Sequence, residues 1–160
     1  IQFLELLTAS RNRQPLAELK RSLAFAPGTY WRAYPYVEPF VARLDGWSRE
    51  AHYLVAGLFA CHPIVVAGRT LPRALGEKFR TQGVGSLEAR FLALLDSDRD
   101  QIGNRLRRAV VLVADHGLDW AKLLQDLVRW FDPRRYVQER WAREFYRVAA
   151  ASELAEEGEQ

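Results

Sequence analysis

From residue 87 to residue 148 the apolar residues recur at helical spacing through four consecutive segments, and no segment of comparable length alternates as a strand would. Leu87, Phe91, Leu94 and Leu95 form one stripe. Ile102, Leu106, Ala109, Val110 and Val113 form the next, and Val137, Trp141, Phe145 and Val148 the last. The β-branched run around Val110 and Val111 favours a strand locally, but the long period on either side overrides it. Helix signals punctuate the pattern. Ser86 is placed to cap the first segment, and Asp98 with Gln101 three residues on makes a capping box for the second. His116-Gly117 is a stop signal. Asp119 caps a helix through Trp130, and Asp132-Pro133 caps and starts the final helix.

The first half reads the same way with more interruptions. Pro15 opens a helix over 15–25 with Leu16, Leu19 and Leu23 on one face, broken at Pro27-Gly28. Residues 29–47 are aromatic and proline-punctuated, and predict a loop with a short helix from about Pro39. Ser48 caps a helix to about Cys61, ended by Pro63. A short helix over about 71–80 lies inside the glycine- and proline-rich stretch 63–85, the best place for a lobe boundary. Ile1, Phe3, Leu6 and Leu7 suggest that the chain opens inside a further helix. The fold class is therefore all-α: a bundle of about seven to nine helices, as one domain over 1–160 or two small lobes sharing a core, with a frayed acidic tail at 152–160. Apolar residues are 49% of the chain, enough to bury a core of that size.

Charge is carried by arginine. Lysine occurs only at Lys20, Lys78 and Lys122 among 23 basic residues. Arginine suits bidentate phosphate contact and stacking, although a GC-rich coding bias would also enrich it. The four Glu of residues 152–160 hold the net charge to +3; without them it stands at +7. Residues 1–85 carry 11 bases against 6 acids, an excess that suits a polyanionic partner. One cysteine, Cys61, excludes an intrachain disulfide and fits a reducing, cytoplasmic setting. No segment resembles a secretory signal, and the longest apolar run is too short to span a bilayer.

Chemistry-bearing patterns are sparse. Asp96, Asp98 and Asp100 alternate like the start of a calcium loop. Its sixth position is Gln101 rather than Gly, though, and its twelfth is Arg107 rather than Glu. The three acids read better as a turn that caps the following helix. Cys61-His62 lacks zinc-site spacing and a second thiol. Asp115-His116 reads as a helix end rather than a hydrolase dyad, and no phosphate-cradling loop or nucleophile elbow occurs. The sequence thus points to no catalytic residue, metal or cofactor. Basic positions remain: Lys20 and Arg21 side by side, Arg49 beside Trp47, Arg99, Arg105, Arg107 and Arg108 around one helix, and Arg140, Arg143 and Arg147 along the last. Such rows contact phosphate without reading sequence. The last row is interleaved with Glu139 and Glu144, which predicts pairing of Glu139 with Arg143 and of Glu144 with Arg147 or Arg140. A pure protein–protein adaptor anchored by Trp31, Tyr34 and Tyr36 is the alternative.

The runs SLEARFLALL at 86–95, LRRAV at 106–110, LDWAKLLQDLVRW at 118–130 and VQERWAREFY at 137–146 resemble the CasB family in order and spacing. CasB proteins are the small subunits of the type I-E CRISPR surveillance complex, Cascade. More loosely, AYPYVEPF at 33–40 and the helix from Arg49 are similar to the family's aromatic stretch and following helix. The resemblance implies an all-helical, non-catalytic subunit acting in antiviral defence. It would be paired as a homodimer beside the backbone and large subunits of Cascade. There it would help to hold the guide RNA–target DNA hybrid and the displaced strand of the R-loop. The family's basic contact positions carry over onto Arg21, Arg49, Arg99 and Arg108, with Lys20, Arg105 and Arg107 beside them. Asp96 replaces a further contact position.

Overall fold

A computed structural model describes residues 13–83 and 85–158, with side chains detailed over 14–83 and 85–151. Those residues form eight α-helices: α1 (Arg13–Ser22), α2 (Tyr34–Val41), α3 (Gly46–Cys61), α4 (Leu71–Gln82), α5 (Gly85–Leu95), α6 (Ile102–Val113), α7 (Trp120–Val128) and α8 (Tyr136–Gly158). Two single 3-10 turns, Trp31–Ala33 and Ala114–His116, lead into α2 and out of α6. The all-α reading holds. Among the described residues the only β pairing is an isolated bridge between Val65 and Leu118. The helix expected around Ile1, Phe3, Leu6 and Leu7 lies outside the described residues.

Helix α3 is the centre. From Tyr53 to Ala60 every residue is buried, so no face of it meets water. It contacts α1, α7, α2 and α6, while α4 packs chiefly on α8 and also touches α5 and α6. The buried side chains form one hydrophobic cluster that includes the indoles of Trp120, Trp130 and Trp141. The stripes read for the helices now numbered α5 and α6 are the buried faces observed. In α8, Val137, Trp141 and Phe145 are buried and Val148 is partly so.

Several boundaries move, each for a local reason. α2 begins at Tyr34 rather than near Pro39. Pro35 falls in its first turn, where a missing N–H does no harm, and the short helix carries Pro39 inside it. α3 starts at Gly46, so Ser48 lies within its first turn and its carbonyl faces His52 Nδ1 at 2.7 Å. α5 likewise starts at Gly85, one residue before Ser86. α7 ends at Val128, two residues before Trp130. α8 starts at Tyr136. Asp132 accepts from the Arg134 backbone N–H at 2.9 Å and Arg135 takes a positive φ of 53°, so 132–135 form a turn before the helix. The reciprocal bonds expected of Asp98 and Gln101 are present, with Asp98 Oδ1 accepting from the Gln101 N–H at 2.9 Å and Gln101 Oε1 from the Asp98 N–H at 3.3 Å, but they close a turn ahead of α6, whose N-cap is Gln101 rather than Asp98. Asp119 Oδ1 caps α7 through the Lys122 N–H at 3.1 Å.

Residues 63–70 are stitched down despite their composition. Trp120 Nε1 donates to the Ile64 carbonyl at 3.0 Å, and the Gly68 N–H donates to Asp119 at 2.9 Å. Arg69 reaches the carbonyls of Val113 and Gly117.

The approach of α4 to α8 depends on Gly76. A Cβ there would lie 2.7 Å from the Phe145 carbonyl oxygen, which is backbone and cannot rotate away. Helix propensity alone would make Gly76→Ala stabilising by about 1 kcal/mol. The packing predicts the opposite sign: Gly76→Ala costs about 1–3 kcal/mol. Urea denaturation should show a lower midpoint with an unchanged slope; a raised midpoint would contradict the close helix contact.

Candidate nucleic-acid interface

The cations singled out in the sequence divide into those engaged inside the protein and those left outside. Arg49 is engaged. It emerges from the first turns of α3 and lies over the rings of Tyr34 and Tyr53, at 5.4 and 4.9 Å. Its Nε donates to Glu38 Oε1 at 3.0 Å, and its Nη1 to the Gly28 carbonyl at 3.2 Å. Tyr53 adds a hydrogen bond to Glu38 at 2.6 Å, and Tyr34 one to the Gly28 carbonyl at 2.6 Å. This network ties the 23–30 loop to α2 and α3. Gly28 is obligatory within it: φ is +81°, and a Cβ would sit 2.3 Å from Arg49 Nη1. The hydrogen bond from Tyr53, reinforced by Arg49, holds the Glu38 carboxyl below its ordinary value. Burial, then the bond to Glu38, pushes the Tyr53 phenol up.

Arg105 is engaged too. It donates to the Ala93 carbonyl at 2.9 Å, in the last turn of α5. Arg21 is exposed and pairs with Glu18 at 3.0 Å, and Arg99 pairs with Glu50 at 2.8 Å across the gap between α3 and α6. Lys20, Arg107 and Arg108 are exposed, and their side chains carry no ion pair or hydrogen bond among the described residues. Exposed pairs of the Arg21 and Arg99 kind are worth little and exchange readily for a phosphate.

Two of these cations, Arg99 and Arg107, line one groove of about 740 Å³. One wall is the end of α1 and the following loop, Ser22 to Pro27 with Thr29. The floor is Trp47, Glu50, Tyr53 and Leu54 of α3, and the opposite wall is Arg99, Asp100, Ile102, Gly103, Asn104 and Arg107. Lys20 and Arg21 occupy the turn of α1 that immediately precedes the lip. Arg108 lies one residue round α6 from the groove lining and Arg105 points to α5, so the seven positions do not converge on one point. Sequence reading missed the groove's Phe25 and Asn104. Phe25 carried a usable signal, an aromatic placed just beyond the last core position of α1 and before a Pro-Gly break.

A second furrow, of about 800 Å³, runs between α4 and α8 and is lined by Arg73, Arg80, Arg140, Arg143 and Arg147 with Glu77, Glu139 and Glu144. It is neutralised only in part, because Arg80 and Arg147 are exposed and carry no side-chain partner among the described residues. Arg143 pairs with Glu139 at 2.7 Å as the spacing predicts, and Arg73 with Glu77 at 3.4 Å. Contrary to the predicted pairing, Arg140 turns to the buried Asp126, which also accepts from Trp141 Nε1 at 2.8 Å. Glu144 accepts from Thr70 instead. Asp96, Asp98 and Asp100 form no metal-binding group among the described residues, and Asp98 accepts from the Asp100 and Gln101 N–H groups in the turn before α6. His62 pairs with Asp115 at 3.6 Å, which joins two residues that the sequence offered as separate motifs.

The fold and this surface define a helical-bundle protein with an aromatic-floored groove that Arg99 and Arg107 line. A family model, CRISPR-associated protein Cse2, matches residues 15–146. The chain belongs to the Cse2 family, also called CasB. It is similar to the CRISPR-associated protein Cse2 of Thermus thermophilus, 58% identical over 144 residues that cover 86% of this chain and 81% of that one. A crystal structure of a Cse2-family protein from the same organism superimposes with a TM-score of 0.83 at 55% identity, covering 91% of this chain and 94% of that one. The M. ruber CasB structure gives 0.83 at 34% identity, covering 96% of each. A chain of a CRISPR RNA-guided surveillance complex shares the fold, with a TM-score of 0.77 at 22% identity over 95% of this chain and 92% of that one.

The Glu38 network carries a pH signature. Because the carboxyl titrates lower in the folded protein, its contribution is complete above the ordinary value of 4.5 and disappears as pH falls through the lower folded value. The stability difference between the wild type and Glu38→Gln should therefore be full at neutral pH and shrink below about pH 4.5. Thermal unfolding across that range checks it, and a gap that stays constant down to about pH 3 would contradict the depressed carboxyl.

Proposed function

We propose that this chain is the non-catalytic small subunit of a type I-E CRISPR surveillance complex. In this reading it grips nucleic-acid backbone and stabilises the guide RNA–target DNA pairing together with the displaced strand. The observation that carries the reading is the state of Lys20, Arg107 and Arg108: exposed cations whose side chains have no partner among the described residues, Arg107 lining the groove. Arg21 and Arg99 join them by exchanging a surface carboxylate for a phosphate. Arg49 and Arg105 serve by holding the walls that the others stand on. Two copies lie side by side against the complex's backbone and large subunits, so that the cations of both extend one track.

The chemistry asked of such a subunit is modest. Opening a DNA duplex against a guide is a nearly balanced exchange of base pairs, so a few sequence-blind phosphate contacts tip it. The adaptor reading keeps one specific observation in its favour: the indole of Trp31 is 79% exposed, a natural anchor for a neighbouring subunit. It is compatible with the main reading because Trp31 lies outside the groove lining.

Binding of the purified chain to a single-stranded DNA should weaken steeply with salt. Lys20→Ala, Arg107→Ala and Arg108→Ala should each reduce the log–log salt slope by about 0.7, the value for one single-strand phosphate contact. Fluorescence anisotropy over roughly 50–200 mM salt reads this directly. A flat salt response, or three variants that keep the full slope, would overturn the backbone-grip reading and leave the adaptor.

A further inference from the structure

We propose that the groove between the 23–29 loop and α6 seats an unstacked base of a single strand, with Phe25 as its stacking platform. The inference rests on the backbone-grip reading above and adds a seat for a base beside the phosphate contacts.

Phe25 lines the groove and remains 53% exposed, although one face of its ring is stacked on Tyr30 at a centroid distance of 4.9 Å and an interplanar angle of 15°. The rest of the ring is left open toward the groove. The ring is also held in place beforehand. Tyr30 is tied through its hydroxyl to Glu18 at 2.7 Å, and the turn after Phe25 is fixed where the Gly28 carbonyl accepts from both Tyr34 and Arg49. A platform that needs no ordering on binding gains affinity from each contact.

The opposite wall completes a nucleotide-sized site. Asn104 is exposed and its amide has no partner among the described residues, which leaves a donor and an acceptor for the edge of any base. Arg107, one helical turn on, offers an unpaired guanidinium for the attached phosphate. Glu50 and Asp100 also line the groove. Their charges make it a poor channel for a run of phosphates but do not oppose a neutral base. The phosphates therefore belong at the rim and the base inside. The volume, about 740 Å³, falls in the range that encloses a small organic ligand. A paired duplex has no base free to enter, so the site selects single strands.

The test is a competition among backbones. Anisotropy titrations of the full chain use an oligodeoxythymidine, an abasic oligonucleotide of the same length, and a duplex. The wild type should bind the thymidine strand about tenfold more tightly than the abasic strand. Phe25→Ala should abolish that gap and leave abasic and duplex binding unchanged, while Phe25→Trp should keep the gap. Equal wild-type affinity for the thymidine and abasic strands would overturn the base seat and leave the phosphate grip standing. A gap that survives in Phe25→Ala would also overturn it. Absence of binding to every strand would overturn the grip and the seat together.

Discussion

The complete burial of the middle of helix α3 is the constraint on which the rest depends. A helix with no wet face needs neighbours on every side, and α1, α2, α6 and α7 supply them. Its first turns leave the core, and there the sequence changes from apolar to Trp47, Arg49 and Glu50. Those turns form the floor of the groove and anchor its loop wall. Burying the centre of one helix thus fixes the position of the surface at its end. The same packing sets the tolerance for substitution, because α4 and α8 approach over Gly76 with no room for a methyl group.

The arginine excess has an internal explanation beside the functional one. Helix C-termini leave carbonyls without partners. Here basic side chains from elsewhere in the fold fill several of them. Arg135 donates to the carbonyl of Leu95, the last residue of α5, at 2.8 Å. Arg105 donates to Ala93 in that same turn. Arg69 donates to Val113, the last residue of α6, at 2.8 Å, and Lys78 to Leu112 at 3.0 Å. A guanidinium suits this work because its stem packs on apolar surface while its fork reaches two acceptors near the negative end of a helix. Part of the positive charge, at Arg69, Lys78, Arg105 and Arg135, is therefore a means of closing short helices against one another. Other cations stay outside without a side-chain partner among the described residues: Lys20, Arg107 and Arg108, and also Arg32, Arg43, Arg80, Arg90, Arg129 and Arg147.

That division explains what the sequence could and could not disclose. The core stripes of α5, α6 and α8 were legible because apolar period and burial are the same physical fact, and the cap at Asp119 was legible because a cap is local. The starts of α2 and α8 were not. Pro35 fits a first turn as readily as a loop, and the positive φ at Arg135 that delays α8 is set by the turn around Asp132. The fate of Arg49 was the least legible. Its partners Glu38 and Gly28 are 11 and 21 residues away, and only the tertiary fold brings them together. Phosphate contacts and carbonyl contacts ask for the same residue type, so periodicity alone does not separate them.

The most direct measurement is the lifetime of the opened target duplex on a surveillance complex reconstituted with this subunit, without it, or with a Lys20→Ala, Arg107→Ala, Arg108→Ala chain. If these exposed cations act on the strands, the R-loop formed with the wild-type subunit should outlast the other two. Both deficient complexes should lose the displaced strand to reannealing at similar rates, with the triple variant still incorporated. Equal lifetimes for the wild-type and triple-variant complexes would show that the cations do not hold the strands, whatever else the subunit does.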